Sequence, residues 1–419
     1  MIRPVRILIT ALALCLFAAG CGSGSSGTTA DGKTVLKIAL WNYAKTPEFK
    51  ALIDAFEAKN PDIRLEPVDI LADNYSDKVT TMLAGGDTTD ILTMKNVTDY
   101  ARYASRGQLL SIGADVNKLE KTKYSGLDAF DLNKDYFALP YRNDFWVLFY
   151  NKALVNPTGA DLSNLTWSSF ADLAKRLTTG SGASQVYGTY FHTWRSVVQA
   201  ISSAQTGGDQ LGGDYGFFKN QYTMALELQN AGAVMPFGTA KNQKVGYDSM
   251  LTTQKAATVP MGTWWAAALL QEKAQGKNNV DWGMAPMPQI TANGKVVTFG
   301  SPTAFAVNKK SKNAEAAKKF VLWAGSPEGA AVVAKIGITP SYTDDAILDT
   351  FFSVAGMPND ALSRKAMHPD TVKLEMPVSD KSSDIDNILK EEHELVMSGQ
   401  KSLDAGIQEM NSRVRSEVR

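Results

Sequence analysis

Only two cysteines, Cys15 and Cys21, occur in the 419 residues, and both lie within the first 21. The body of the chain therefore has no thiol for a disulfide or a thiolate metal site. Histidine is nearly as scarce. His192, His368 and His393 stand far apart, none in an HExxH or paired-ligand spacing, so no zinc site and no metal cofactor are expected. The 43 basic and 43 acidic residues cancel, and no dense Lys/Arg run breaks the balance, which argues against nucleic acid as a partner. No Gly-x-Ser-x-Gly elbow, Walker loop or Gly-x-Gly-x-x-Gly follows a strand pattern. Asp131, Asn133 and Asp135 have the spacing that opens a calcium loop. Tyr136 and Arg142 stand where that loop needs glycine and glutamate, so a solvated turn is expected instead. A carboxylate pair that cleaves glycosidic bonds is defined in space and not in sequence. An exported glycoside hydrolase or lyase is therefore the alternative reading, without a motif in its favour.

Long apolar runs are missing too. The one candidate, residues 7–17, follows Arg3 and Arg6 and is well short of the ~20 residues that span a bilayer. Ala18, Ala19 and Gly20 then lead to Cys21, and the layout is that of a removable signal over residues 1–20. Small residues ending in cysteine resemble the bacterial lipobox, which implies a diacylglyceryl group on Cys21. Ala18 departs from the leucine usual there. Residues 21–33, rich in Gly, Ser and Thr, read as a lipidated flexible spacer. This reading places the protein, lipid-anchored, at the outer face of the cytoplasmic membrane of a cell without an outer membrane, a Gram-positive bacterium. A surface lipoprotein with an adhesive or supporting role is a further alternative.

What the chain does have is length and alternation. Roughly 390 residues beyond the leader exceed what one core usually organises, so two lobes are expected. Residues 35–41 alternate as a strand. Thr46 and Pro47 then start a helix with Phe49, Leu52, Ile53 and Phe56 on one face and Asn60-Pro61 as its stop. A strand over 63–68, a helix marked by Tyr75, Val79, Met82 and Leu83, and a short strand over 91–94 follow. Later patterns predict a strand over 146–150, helices over 167–177, 224–231 and 314–324, and a strand over 258–261. The order strand, helix, strand, helix, strand defines an α/β class with parallel strands, whose ligands sit beyond the carboxyl ends of strands.

Several pieces in fixed order carry a family resemblance: Trp41-Asn42; the turn Gly85-Gly86-Asp87-Thr88-Thr89-Asp90-Ile91; Ala138-Leu139-Pro140 leading to Phe149-Tyr150-Asn151-Lys152. Thr166-Trp167-Ser168-Ser169-Phe170, Met261-Gly262-Thr263-Trp264, Ala285-Pro286-Met287-Pro288, and Phe305 to Lys309 followed by Ser311-Lys312-Asn313-Ala314-Glu315-Ala316-Ala317 continue it. From Val35 onward the chain resembles the family 1 extracellular solute-binding proteins, the receptors of ABC sugar importers, including the maltose receptors. Thr89 replaces the proline common in the second piece. The resemblance implies a two-lobed periplasmic-binding-protein-like fold of type II. Each lobe is then a mainly parallel sheet flanked by helices, with the ligand cleft between them. Matching the pieces puts chain crossings near Tyr141 to Asn143, Ser301 to Thr303 and Gly337 to Pro340. The lobes would be 34–142 with 302–338, and 143–301 with 339–419. A monomer that hands a carbohydrate to membrane permease subunits is the implied function, with a polyol or glycerol phosphate as other solutes.

A cleft for a sugar needs aromatic plates for C–H faces and convergent polar groups for hydroxyls. Trp264 follows a predicted strand and stands where the maltose receptors have a stacking tryptophan. Of Trp264 and Trp265, one is expected in the cleft and one in the core. Asp144 matches an acidic sugar contact of that family, with Tyr141, Arg142 and Trp146 beside it; an Arg142–Asp144 ion pair that stiffens the crossing is the plainer alternative. Trp41, Asn42 and Tyr43 leave one strand and Met94, Lys95 and Asn96 another, so both sets are expected to frame the opposite wall. Trp194 and Arg195, with His192, match a region that supplies a plate. Gly300 and Ser301 would let backbone approach the solute. Asp87 and Asp90 read as turn and strand supports.

Overall fold

The computed structural model describes residues 32–418. The expected signal, Cys21 and nearly all of the spacer lie outside the described residues. Eleven strands form: β1 (Thr34–Trp41), β2 (Ile63–Ile70), β3 (Ile91–Met94), β4 (Asp131–Leu132), β5 (Asp135–Tyr136) and β6 (Ala138–Asn151). β7 (Tyr187–Thr189), β8 (Ala256–Gly262), β9 (Trp282–Ala285), β10 (Val297–Val307) and β11 (Thr371–Leu374) complete them. Helices fill the intervals. The helix Pro47–Lys59 begins with proline in its first turn and buries Phe49, Leu52, Ile53 and Phe56, the i, i+3, i+4, i+7 set of one face. The backbone N–H of Asn60 closes it on Glu57 and Phe56 carbonyls. In the helix Trp167–Leu177 a reciprocal Thr166/Ser169 capping box satisfies the free N–H groups of the first turn.

Nine strands make one sheet in the order β2-β1-β3-β10-β6-β8-β7, with β11 on β10 and β9 on β6. The expected parallel pairing is there in β1 with β2 and β3, and β7, a strand the sequence pattern did not indicate, pairs parallel with β8. The sheet as a whole is mixed, because β6 and β10 run antiparallel to each other, β6 also to β8 and β9 and β10 to β3, whereas β11 joins β10 in parallel. The sequence pattern showed only the apolar second half of β6. Its first half, Ala138 to Phe145, carries polar residues that a period-of-two or apolar-run reading passes over, yet all fourteen residues of β6 are buried.

Two apolar cores result. One gathers β1 to β3, the start of β6, the end of β10 and the helices Pro47–Lys59 and Ala314–Ala324. The other gathers the end of β6, β8, β9 and the carboxyl-terminal helices. β6 and β10 pass from one core to the other. A third passage lies against them, where Asn143 N–H donates to Thr339 O and Ser341 N–H to Tyr141 O. β10 shifts register between Thr303 and Ala304, a local irregularity on the crossing itself. Asp131, Asn133 and Asp135 form the β4–β5 hairpin, with Asn133 and Lys134 both at positive φ at its tip. Among the described residues no group of three or more His, Cys, Asp or Glu side chains could hold a metal ion. No described helix is long and apolar enough to cross a membrane.

The helix Ser382–Met397 was not foreseen from sequence, and it buries His393 against Tyr222 and Phe237. Nδ1 of His393 is 3.0 Å from the Tyr222 hydroxyl. Burial, with Arg195 and Lys241 nearby, holds its pKa down at about 3. Because the folded value is depressed, the contribution to stability is complete above the unfolded value near 6.5 and is lost as pH falls. Between pH 6.5 and 5.0 this single group is expected to cost about 2 kcal/mol. His192, held near 4 by burial, acts in the same sense; Asp144, raised to about 6, takes up a native-state proton and opposes one of them. Urea unfolding across that pH range, with and without His393→Phe, checks this: the variant flattens the slope, and an unchanged slope contradicts the assignment.

Candidate functional site

The space between the cores is framed by strand ends. β8 stops at Gly262, and the next two residues place Thr263 in the interior and Trp264 half-buried. Trp264 packs against both cores, whereas Trp265 is 2% exposed and belongs to one. Gly262 is required here: a Cβ would sit 1.8 Å from the Trp264 ring, which lies flat over the backbone. Trp146, Trp194 and Trp264 then form a triangle with centroids 6.1 to 6.4 Å apart. His192 and Tyr247 extend it, with His192 4.5 Å from Trp194 and 5.2 Å from Tyr247. Trp194 is 38% exposed, a large apolar ring left open on this surface. Trp146 is buried behind it, stacked on Phe299. Burial raises the Tyr247 phenol and lowers the His192 imidazole to about 4, so both are neutral near pH 7.

Facing this aromatic wall, Trp41 ends β1 with Phe49 and Tyr75 edge-on behind it. The Lys95 ammonium lies 5.6 Å and the Arg142 guanidinium 5.8 Å from its ring centre. Lys95 donates to Ala72 O at 2.6 Å, and desolvation lowers its pKa. The charge of Asp73, on the same wall, reaches His192 on the other, so the two walls stand close.

Beneath them runs a buried ionic chain. Arg142 Nη1 pairs with Glu48 of the helix Pro47–Lys59, and Arg142 Nε lies 2.9 Å from Asp144 Oδ2. That second contact is off the hydrogen-bonding line. Arg142 Nε and Asp144 Oδ2 are both buried without a hydrogen-bond partner. Asp144 Oδ1 accepts from Thr263 Oγ1 at 3.1 Å, and Thr339 reaches the same Thr263 hydroxyl. Burial pushes the Asp144 carboxyl up to about 6, against the pull of Arg142. A carboxylate oxygen buried with spare acceptor capacity is a costly arrangement that a hydroxyl-bearing solute would relieve.

The remaining expected residues sit elsewhere or serve the frame. Asn42, in the left-handed region at φ 44°, accepts the Ala72 N–H at 3.1 Å. Tyr43 lies beside Lys50, Asp54 and Glu57 on the outer side of their helix. Met94 and Tyr141 are core residues, Tyr141 stacked on Phe305 at 4.6 Å. Asn96 caps the helix Val97–Ser105 through the Asp99 N–H. Arg195 is buried and spent on Asp386, Gln199 and Gln210. Gly300 makes room for the neighbouring strand and not for a solute, since its Cβ would meet Asp144 O at 2.1 Å. Asp90 accepts from the Lys37 N–H and Ser311, and Asp87 from the Thr89 N–H, as supports. Glu48, Thr263, Tyr247 and Asp73 were not singled out from sequence. Glu48 looks there like an ordinary first-turn acid, and Tyr247 follows no strand.

Removing one partner of a buried ion pair leaves the other charge uncompensated. Glu48→Ala is therefore expected to lower stability by about 3 to 5 kcal/mol, read by urea unfolding at pH 7. A loss under ~1 kcal/mol, the range of exposed pairs, contradicts the buried chain described.

Comparison with known proteins agrees with this geometry. Residues 42–331 match the family described as bacterial extracellular solute-binding protein. The arabinooligosaccharide-binding protein of Bacillus subtilis (strain 168) is 23% identical over 344 residues, covering 78% of this chain and 77% of that protein. A sugar transporter structure from Rhizobium etli, in an open conformation, superposes with a TM-score of 0.77 at 31% identity, covering 91% of this chain and 99% of the other. An ABC substrate-binding protein from Listeria monocytogenes, in complex with cycloalternan, shares the fold with a TM-score of 0.78 at 19% identity, over 91% and 98% of the two chains. By their descriptions these are a sugar-binding protein, a sugar transporter and an ABC substrate-binding protein. The two joined cores, the aromatic-walled gap between them and the matched span place this chain in the bacterial extracellular solute-binding protein family.

Proposed function

We propose that the chain captures a sugar or oligosaccharide between lobes 34–142 with 302–338 and 143–301 with 339–419, and delivers it to ABC permease subunits. The observation that carries this is the Asp144 oxygen without a hydrogen bond, two residues along β6 from Trp146 of the tryptophan triangle and bonded through its other oxygen to Thr263, next to Trp264. Rings such as Trp264 and Trp194 suit the C–H faces of a sugar, and the carboxylate suits its hydroxyls with charge-assisted hydrogen bonds. Relatives named for arabinooligosaccharides and for a cycloalternan complex support a carbohydrate. Lobe closure about the three adjacent crossings would enclose it. The protein acts as a monomer, held by lipid on Cys21 at the outer face of the membrane of a Gram-positive cell, where the 22–33 spacer keeps it near its permease.

Titration calorimetry against arabinose, arabinotriose, maltose and maltotriose, with mannitol as a polyol control, is expected to show binding of at least one of the sugars, and binding of none of them overturns the reading. Trp264→Ala should weaken that binding by at least ~1 kcal/mol; unchanged affinity in a folded variant removes Trp264 from the contact. Cys21→Ala should release the protein from membranes into the medium, and retention at wild-type level contradicts lipid anchoring.

A further inference from the structure

In the middle of the crossing strands one residue is not fully covered. β6 is buried throughout, and β10 is buried from Thr298 to Val307 except at Ser301. Ser301 is therefore the floor of the gap. It pairs with Asp144 on one side, which puts their side chains on one face of the sheet. On its other side β11 runs parallel to β10 and ends with Leu374 opposite Gly300. The next residue, Glu375, donates its N–H to Gly300 O at 2.9 Å and so comes level with Ser301. Asp144, Ser301 and Glu375 are thus neighbouring positions on three adjacent strands, and the two carboxylate residues are roughly 10 Å apart at the backbone.

Glu375 is fixed there. Its Oε1 accepts from Ser196, two residues beyond Trp194, and Gln210 holds its carbonyl at 2.8 Å. The charges that reach it are Arg195 and Asp386 from its own lobe and Lys95 from the opposite wall. Arg195 is committed to Asp386. Leu374 packs on the first core while Met376 belongs to the second, so Glu375 lies between them. Around the gap stand Asp144, Glu375, Glu48 and Asp73, with Arg142, Lys95 and the exposed Lys390 that acts on Lys95 as cations; Arg142 is already shared by two carboxylates. With Arg142 committed, the carboxylates outnumber the remaining cations, a balance that disfavours a phosphate or a uronate.

We propose that Glu375 is a second solute-gripping carboxylate, facing Asp144 across Ser301, and that the pair makes the site selective for neutral sugars over anionic ones. It rests on the carbohydrate reading above and adds a residue and a charge rule to it. Hydroxyls donate to both carboxylates, whereas an anionic group brought between them is repelled.

Calorimetry of the purified protein with maltotriose and arabinotriose as neutral probes and trigalacturonate as the anionic one tests it. The wild type binds a neutral probe and takes trigalacturonate at least ~100-fold more weakly. Glu375→Gln, with an unchanged thermal midpoint, loses about tenfold or more for the neutral probe and narrows the gap between probes. Ser196→Ala frees the carboxylate without changing its charge; it weakens neutral binding by a smaller factor and keeps the discrimination. Wild-type preference for trigalacturonate, or Glu375→Gln matching the wild type on both probes, overturns the inference while leaving carbohydrate capture intact. If Glu375→Gln does not fold, unchanged neutral affinity in Ser196→Ala overturns it. Binding of no carbohydrate by the wild type removes the functional reading and this inference together.

Discussion

The Arg142 guanidinium, buried between Glu48 and Asp144 where the chain passes between its two cores, is the constraint on which the rest depends. A cation taken out of water must be matched, and here its partners come from different parts of the fold: a helix of the first core and the crossing strand itself. Thr263 and Thr339 extend the chain to the end of β8 and to the third crossing. These contacts lie at the crossings, so closure of one lobe on the other would turn about them. The electrostatics thus tie the crossings together, and they leave one acceptor, Asp144 Oδ2, without a hydrogen bond.

That acceptor and the aromatic wall above it define what can be bound. Trp264 packs on both cores, so its ring stands where the two halves of the molecule meet. His192, kept neutral by burial, and Tyr247 add polar edges without adding charge. The gap has plates, acceptors and few cations, a combination suited to hydroxyl-rich neutral molecules and poor for anions. The family supplies the general role, solute capture outside the cell; the local chemistry narrows the solute.

How much of this was legible before the structure depended on periodicity. The helices Trp167–Leu177 and Ala314–Ala324 match the sequence reading at both ends, because their apolar spacing and their flanking residues agree. The first half of β6 did not read as a strand, since Arg142, Asn143 and Asp144 are buried by the fold as a whole and not by any local pattern. Trp264 was visible as a residue just past a strand. Glu48 and Glu375 were not, because each joins the site through a partner more than ninety residues away, and Tyr247 joins it through His192 and Trp194 more than fifty residues away; such pairings leave no trace in spacing. Conversely, Asn42, Asn96 and Arg195 have the residue types of a binding site, and the structure uses them for a turn, a cap and an internal ion pair.

The most direct measurement is a crystal structure with the carbohydrate that calorimetry selects. The account predicts a sugar ring stacked on Trp264 with a hydroxyl on Asp144 Oδ2, both lobes closed over it. A sugar bound away from Trp264, with Asp144 touching only Arg142 and Thr263, would contradict it.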